Sequence, residues 1–414
     1  MLDWYRDLDG NGRRTFWACF GGYAMDAMDV QIYSFIVPVL GGLWGLTNTQ
    51  AGLLATVTLI LSALGGWLAG LLADRIGRVR TLQITIAWFA LFTFLSGFTD
   101  GFEQLLVTRG LQGLGFGGEW AAGSVLMGEV VAARHRGKAV GLVQSSWSVG
   151  WGLAAVLATL SFSLLTPDRA WRALFFIGLL PALAVFVVRR FVPEPQVFVQ
   201  AQARPPLLAI FSRPFITVTL RGCLLALGAQ GGYYAITTWL PTYLRTERHL
   251  SVLGSGSYLG VIIVGSFCGY VTSAYLNDAI GRRRTFLLFA VGSLAIVLGY
   301  TQLPVSDALM LVLGFPLGFF ASGIFSGMGA LFTELYPTEL RGSGQGFCYN
   351  SGRGLAALFP TLVGAASATM PLGQAIGLFA GAAYGLVIVA ALTLPETRGR
   401  ELESLAPAAA GGRA

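Results

Sequence analysis

Runs of uncharged, apolar residues long enough to cross a bilayer recur along the whole length of this sequence, and no other feature narrows the possible folds so far. Ala51–Ala73, Phe286–Leu303 and Leu372–Leu394 are examples. Each reaches the roughly 18 residues that mark a spanning helix. One such run could be a buried helix of a soluble protein, but not a dozen. Charged residues make up only 11% of the chain and hydrophobic ones 55%, against about a quarter charged in an ordinary soluble domain. An outer-membrane barrel would show short alternating segments instead. The pattern predicts an all-α polytopic membrane protein with twelve transmembrane helices, at about 14–40, 50–73, 81–99, 102–128, 138–160, 171–190, 215–244, 252–276, 286–303, 307–333, 343–367 and 372–394. The first segment is polar and the first span long, which argues against a cleaved signal.

The net charge of +7 invites a nucleic-acid partner, and its distribution argues against one. With both termini inside, 20 of the 27 Lys and Arg residues fall in cytoplasmic segments or at their edges, including Arg6, Arg13, Arg75, Arg78, Arg80, Arg134, Arg136, Arg189, Arg204, Arg282, Arg341 and Arg413. Only Arg169, Arg172, Arg245 and Arg248 fall outside. That is the positive-inside asymmetry, so the basic balance reports topology. The four cysteines (Cys19, Cys223, Cys268, Cys348) lie isolated in spans and read as small packing residues. His135 and His249 stand alone in loops. No metal spacing and no cofactor motif is visible.

The chain repeats itself at half its length. Asp74-Arg75-Ile76-Gly77-Arg78 is echoed by Asp278-Ala279-Ile280-Gly281-Arg282, Glu129 through Gly137 by Glu334 through Gly342, and Pro193-Glu194 by Pro395-Glu396, at offsets of 204, 205 and 202 residues. Three landmarks at nearly one offset imply two related six-span bundles. They would run over 1–190 and 214–394, joined by a cytoplasmic linker at 191–213 and followed by a tail at 395–414.

These landmarks carry a family resemblance. Gly70 through Asp74-Arg75-Ile76-Gly77-Arg78-Val79-Arg80 resembles the signature loop between spans 2 and 3 of the major facilitator superfamily. Arg109-Gly110 with Gly113, Gly115 and Gly117 resembles its fourth-span motif, and Pro395-Glu396-Thr397-Arg398-Gly399 its usual ending. Within that superfamily, Asp26-Ala27-Met28-Asp29, Gly117-Gly118-Glu119-Trp120 and Tyr349-Asn350-Ser351-Gly352-Arg353 resemble the sialate and carboxylate proton symporters. The resemblance implies two helical bundles that rock around a midplane site. It also implies a small organic acid and protons as cargo, and a multi-pass monomer in the plasma (inner) membrane.

Physical chemistry gives the motif residues roles. Gly77 suits a tight turn. Arg75, Arg78 and Arg282 lie at the anionic cytoplasmic surface. Asp74 ends span 2, where it can pair with an arginine or with a helix N-terminus of the other half, and its echo Asp278, with Arg282, is expected in the same gate. Such a pair would hold the cytoplasmic side shut and break during rocking. The glycines at 113, 115 and 117, like Gly66 and Gly70, lack the βαβ surroundings of a dinucleotide fingerprint and read as sites of close helix approach.

Charges within spans are costly, at least about 2.5 kcal/mol each. The candidates are Asp26, Asp29, Arg109, Glu119, Arg221 and Arg353. None has an equivalent in the other half: Arg353 falls opposite Ser148, Glu119 opposite Ile324 and Arg109 opposite Gly314. The shared architecture therefore does not require them. Arg221 is shallow enough to snorkel. Arg353 lies roughly 15 Å deep at 1.5 Å per residue, and a guanidinium grips a carboxylate bidentately. It is the expected anchor of an anionic substrate, with Asn350 one turn earlier and Arg109 as second anchor; a structural salt bridge to Asp26 or Asp29 is the competing role. Low dielectric disfavours a charged carboxylate, so Asp26, Asp29 and Glu119 are the expected proton carriers, one of which could instead be a packing charge for Arg109. Tyr23, Gln144, Trp147, Gln230, Tyr233, Tyr234 and Tyr349 are expected around the cavity. Competing functions are a sugar or osmolyte symporter, a drug efflux pump, and a transporter-like sensor. A cationic-drug pump would not want a central arginine, and a sensor would want a soluble output domain. No nucleophile–base pair marks an enzyme.

Overall fold

The computed structural model describes residues 3–46, 48–179, 183, 192–200, 206, 208–249 and 252–403. Thirteen helices of eight residues or more form among them: α1 Gly10–Trp44, α2 Asn48–Ile76, α3 Arg78–Ser96, α4 Phe102–Val130, α5 Arg136–Leu164, α6 Pro167–Ile177, α7 Ile216–Thr246, α8 Val252–Ile280, α9 Arg282–Gln302, α10 Asp307–Leu335, α11 Arg341–Ala356, α12 Phe359–Ala366 and α13 Leu372–Thr393. Each predicted span has its helix. For the sixth, the part beyond Ile177 lies mostly outside the described residues, as do Arg189, Arg190, Arg204 and Arg413. Among the described residues, seven helices are long and apolar enough to cross a membrane on length and composition alone. The long helices outside that set, α1, α4 and α7, carry Asp26, Asp29, Arg109, Glu119 and Arg221. Leu64, Leu68, Ile84, Leu91, Val264, Leu288 and Leu298 point outward from the bundle, as a lipid-facing surface requires.

Span 11 departs from the expectation of one continuous helix. It breaks between α11 and α12, where the Ala357 N–H bonds to the Arg353 carbonyl and the Leu358 N–H to that of Leu355. Pro360 has no N–H to continue the ladder. The break comes one turn after Arg353.

The helix pairings repeat across the two halves. α2 packs on α4 as α8 does on α10, α3 on α4 as α9 on α10, and α1 on α5 as α7 on α11. The halves meet where α2 lies against α11 and α5 against α8. Glycine makes these approaches possible. A Cβ on Gly113 or Gly117 would fall inside the backbone of Thr58 or Ser62 on α2, and one on Gly70 inside the Gly342 carbonyl on α11. Gly77 and Gly281 turn the chain between helices at φ of +108° and +97°, where a side chain is strained.

Candidate functional site

Two charge networks, related by the internal repeat, clamp the side of the molecule that carries the motif loops. Asp74 accepts the backbone N–H of Gly342 at 3.0 Å and of Ser343 at 2.7 Å, and the Ser343 hydroxyl at 2.6 Å. Both residues belong to the first turn of α11, whose exposed N–H groups and dipole favour an anion. Arg78 Nη1 stands 3.3 Å from the same carboxylate. In the other half Asp278 accepts the N–H of Gly137 at 3.0 Å and of Lys138 at 2.9 Å, opening α5, and pairs with Arg282 at 2.9 Å. The two partners proposed for Asp74 are thus used together.

Behind each aspartate stands a buried carboxylate. Glu129 takes a fork from Arg78, 3.0 Å on both arms, and Arg341 of the other half at 2.6 Å. Glu334 takes Arg282 at 3.1 and 2.8 Å and Arg136 of the first half at 3.0 Å. Glu194 caps α3 by accepting the N–H groups of Arg78, Val79 and Arg80, and Glu396 caps α9 through Arg282 and Arg283. Glu129, Glu334, Arg136 and Arg341 were legible as repeat landmarks, but not as a clamp, because each pairs across the seam. Arg75, expected in the gate, is exposed. Charges buried this deeply cost energy unless paired, and removal of one partner typically costs about 3–5 kcal/mol. Asp74→Asn keeps the shape but drops the charge from one of two clamps. We expect the mutant to populate states open on this side about tenfold more, read as a shifted spin-label distance distribution between the α2–α3 and α10–α11 turns. An unchanged distribution would count against the clamp.

A second cluster lies within the first half. Arg109 Nη1 is 3.1 Å from Asp29 and 2.6 Å from Gln112 Oε1, and its guanidinium stacks on Tyr33 at 4.8 Å. Gln112 Nε2 donates to Asp29 and to Thr93 Oγ1. Arg109, read from sequence as the second substrate anchor, is thus occupied by Asp29. Gln112, one turn after Arg109, escaped notice because it is uncharged. Asp26 and Glu119 are buried too.

The third cluster surrounds Arg353. Its side chain is 2% exposed and stacks on Phe116 of α4 at 4.6 Å and on Tyr349 at 5.0 Å. It forms no ion pair among the described residues, and its Nε and Nη1 have no hydrogen-bond partner there. Among the described residues no ion pair joins Arg353 to Asp26 or Asp29, the competing partners, and Asp29 pairs with Arg109. Tyr349 stacks on Trp120 across the seam, with ring centroids 3.5 Å apart, and its carbonyl accepts from Gln230 at 2.8 Å. Trp120 Nε1 donates to Gln144 at 2.9 Å. Trp147 packs on Tyr23 at 5.4 Å, and Tyr233 lies against Phe325 at 5.6 Å. Asn350 instead fills the space over Gly66 at the α2–α11 contact and bonds its own helix at the Gly346 carbonyl, 3.0 Å away. That ties it to helix packing. Phe116 and Trp120 were missed as neighbours of Arg353, although Trp120 sits in a motif already singled out. Arg221 donates to the Thr393 carbonyl at the end of α13 at 2.8 Å, as a snorkelling residue would.

Comparison with known proteins agrees with this geometry. The family model described as Major Facilitator Superfamily matches residues 19–359 and, overlapping them, 264–411. The "Probable 4-methylmuconolactone transporter" of Cupriavidus pinatubonensis is 42% identical, over 99% of this chain and 96% of its own. The cis,cis-muconate transport protein of Acinetobacter baylyi is 31% identical over 92% and 94%, and the sialic acid transporter of Escherichia coli 27% over 93% and 95%. The proton:xylose symporter XylE, bound to 6-bromo-6-deoxy-D-glucose, superposes with a TM-score of 0.81 at 19% identity, covering 95% of this chain and 98% of its own. This chain belongs to the major facilitator superfamily and is a multi-pass membrane transporter, not an enzyme.

Proposed function

We propose that this chain imports small organic acid anions together with protons, by alternating access between its two halves. The observation that carries the reading is Arg353: a buried guanidinium at the seam, stacked on two rings, with two donor groups unclaimed among the described residues. An unpaired buried charge is costly unless a partner arrives. The partner that matches a planar fork in both charge and shape is a carboxylate. The relatives named for 4-methylmuconolactone, cis,cis-muconate and sialic acid support the same cargo class. A carrier for neutral sugar would have no use for a free guanidinium here.

In this reading, residues 1–190 and 214–394 rock as two bodies joined by 191–213, in the inner membrane, as a monomer with both termini in the cytoplasm. The clamps at Asp74 and Asp278 hold the cytoplasmic side shut until the halves rock apart. Asp29 carries the exchangeable proton. When charged, its Oδ2 is held by Arg109 and Gln112 while its Oδ1 has no partner among the described residues; when protonated it releases Arg109 and relaxes the contact between α1 and α4. Asp26 and Glu119, both buried, are the further acids on the proton route. A thermal-shift screen of purified protein against a panel of organic acids tests the cargo class. A ligand that binds only the native state at a hundred times its Kd stabilises it by about 2.7 kcal/mol. Several degrees of shift with aromatic or unsaturated monocarboxylates is the expected result; shifts with neutral sugars alone would overturn it.

A further inference from the structure

The inference that follows rests on the organic-acid reading above. The position that the internal repeat pairs with Arg353 is Ser148 on α5, and it opens a chain of hydroxyls across the seam. Ser148 Oγ lies 2.8 Å from Ser266 Oγ on α8, and Ser266 donates to Ser322 Oγ on α10 at 2.7 Å. A serine hydroxyl has a single proton to give. Ser266 spends its proton on Ser322, so the proton between Ser148 and Ser266 comes from Ser148. Ser322 only accepts in this chain, and its own proton remains to be donated.

Ser322 forms part of the wall of a cavity of about 30 Å³ between α5, α7, α8 and α10, with Trp151, Tyr233, Thr237 and Leu259 among its other walls. The Tyr233 hydroxyl oxygen lies against the Trp147 side chain, and its proton has no acceptor among the described residues. Thr237 gives its proton to the Tyr233 carbonyl at 2.9 Å. Ser322 and Tyr233 are 2% and 8% exposed, so two buried donors share a void of roughly the size that holds a water-sized group. A buried donor without an acceptor is costly. No charged residue lines the cavity, which excludes a second carboxylate as its occupant. Along α7, Tyr233 faces this cavity while the next residue, Tyr234, reaches Arg353. Tyr233 also neighbours Tyr349, the ring on which Arg353 stacks at 5.0 Å, so the cavity adjoins the residues that surround the guanidinium.

We propose that this cavity is the second pole of the transport site. It takes a neutral, hydrogen-bond-accepting oxygen (a carbonyl, a lactone oxygen or a ring hydroxyl) at the end of the substrate remote from its carboxylate, with Ser322 and Tyr233 as donors. The preferred cargo is then a monocarboxylate bearing one distal oxygen.

Calorimetric titration of the purified full chain with two ligand pairs tests this: benzoate against 4-hydroxybenzoate, and 3-phenylpropionate against 3-(3-hydroxyphenyl)propionate. The wild type is expected to bind a hydroxylated member about tenfold more tightly than its parent. Ser322→Ala removes that preference: within this variant the hydroxylated member binds no more tightly than its parent. Ser148→Ala keeps the preference, because the Ser322 proton never depended on Ser148. Equal affinities within both pairs in the wild type, or a preference that survives Ser322→Ala, overturns the subsite alone. So does a uniform loss for both members in Ser148→Ala and Ser322→Ala, which would make the chain only a clamp between halves. If no member of either pair binds the wild type, the organic-acid reading fails and the subsite with it.

Discussion

Arg353→Lys is expected to bind the transported acid ten- to a hundredfold more weakly than wild type, and Arg353→Ala more weakly still. A hydrogen bond to a charged group contributes about 1.5–3 kcal/mol, and each 1.4 kcal/mol is tenfold in affinity. Lysine keeps the charge but offers a point in place of a fork, and it cannot stack flat between Phe116 and Tyr349 as the guanidinium does at 4.6 and 5.0 Å. The alanine variant also loses the charge. Because Arg353 makes no ion pair among the described residues, its removal leaves no carboxylate stranded, and the fold should survive. Titration calorimetry supplies the affinity, and the melting temperature of each variant supplies the folding control. Wild-type affinity in both variants would remove Arg353 from the site.

The second large effect is a separation of binding from accumulation. Asp29→Asn should still bind and exchange substrate, yet lose the ability to concentrate it. The asparagine mimics the protonated carboxyl in shape and charge, and its amide can still meet Gln112 and Thr93. What disappears is the charge that holds Arg109 at 3.1 Å, and with it the dependence of that contact on a proton. Counterflow in proteoliposomes should stay within a few-fold of wild type while gradient-driven uptake falls to the level of the empty control. Glu119→Gln and Asp26→Asn, assayed the same way, separate members of a proton route from packing charges: a route member repeats the Asp29→Asn pattern, and a packing charge lowers the melting temperature instead. Loss of counterflow and uptake together in Asp29→Asn would make Asp29 a structural or substrate-binding residue.

Much of the architecture was legible because it depends on local quantities. Apolar run length set the spans. The repeat suggested the two halves, and the echoed Asp74 and Asp278 are residues that bond from one half to the other. Depth along a helix marked Arg353 and Asp29 and discounted Arg221. What was not legible depends on how helices are rotated and which neighbour they meet. Arg109 and Arg353 are both central arginines, and nothing local distinguishes them. Only the packing of α1 on α4 gives Asp29 to Arg109 and leaves Arg353 with no ion pair among the described residues. Asn350 shares a face with Arg353, yet the glycine at position 66 draws it into the α2–α11 contact. Glu129 and Glu334 are echoed acids whose partners Arg341 and Arg136 come from the opposite halves, so no spacing within one half reveals them. The break after Ala356 hid inside a run whose glycines and alanines look as apolar as a continuous helix.

The central claim, proton-driven uptake of an organic acid, is tested most directly in proteoliposomes by imposing a pH gradient, acid outside, without any sodium gradient. A labelled monocarboxylate that passes the thermal-shift screen serves as substrate, with an uncoupler as control. Accumulation above the external concentration that collapses when the uncoupler is added is the predicted result. Uptake indifferent to the imposed pH gradient, or driven by sodium alone, would contradict it.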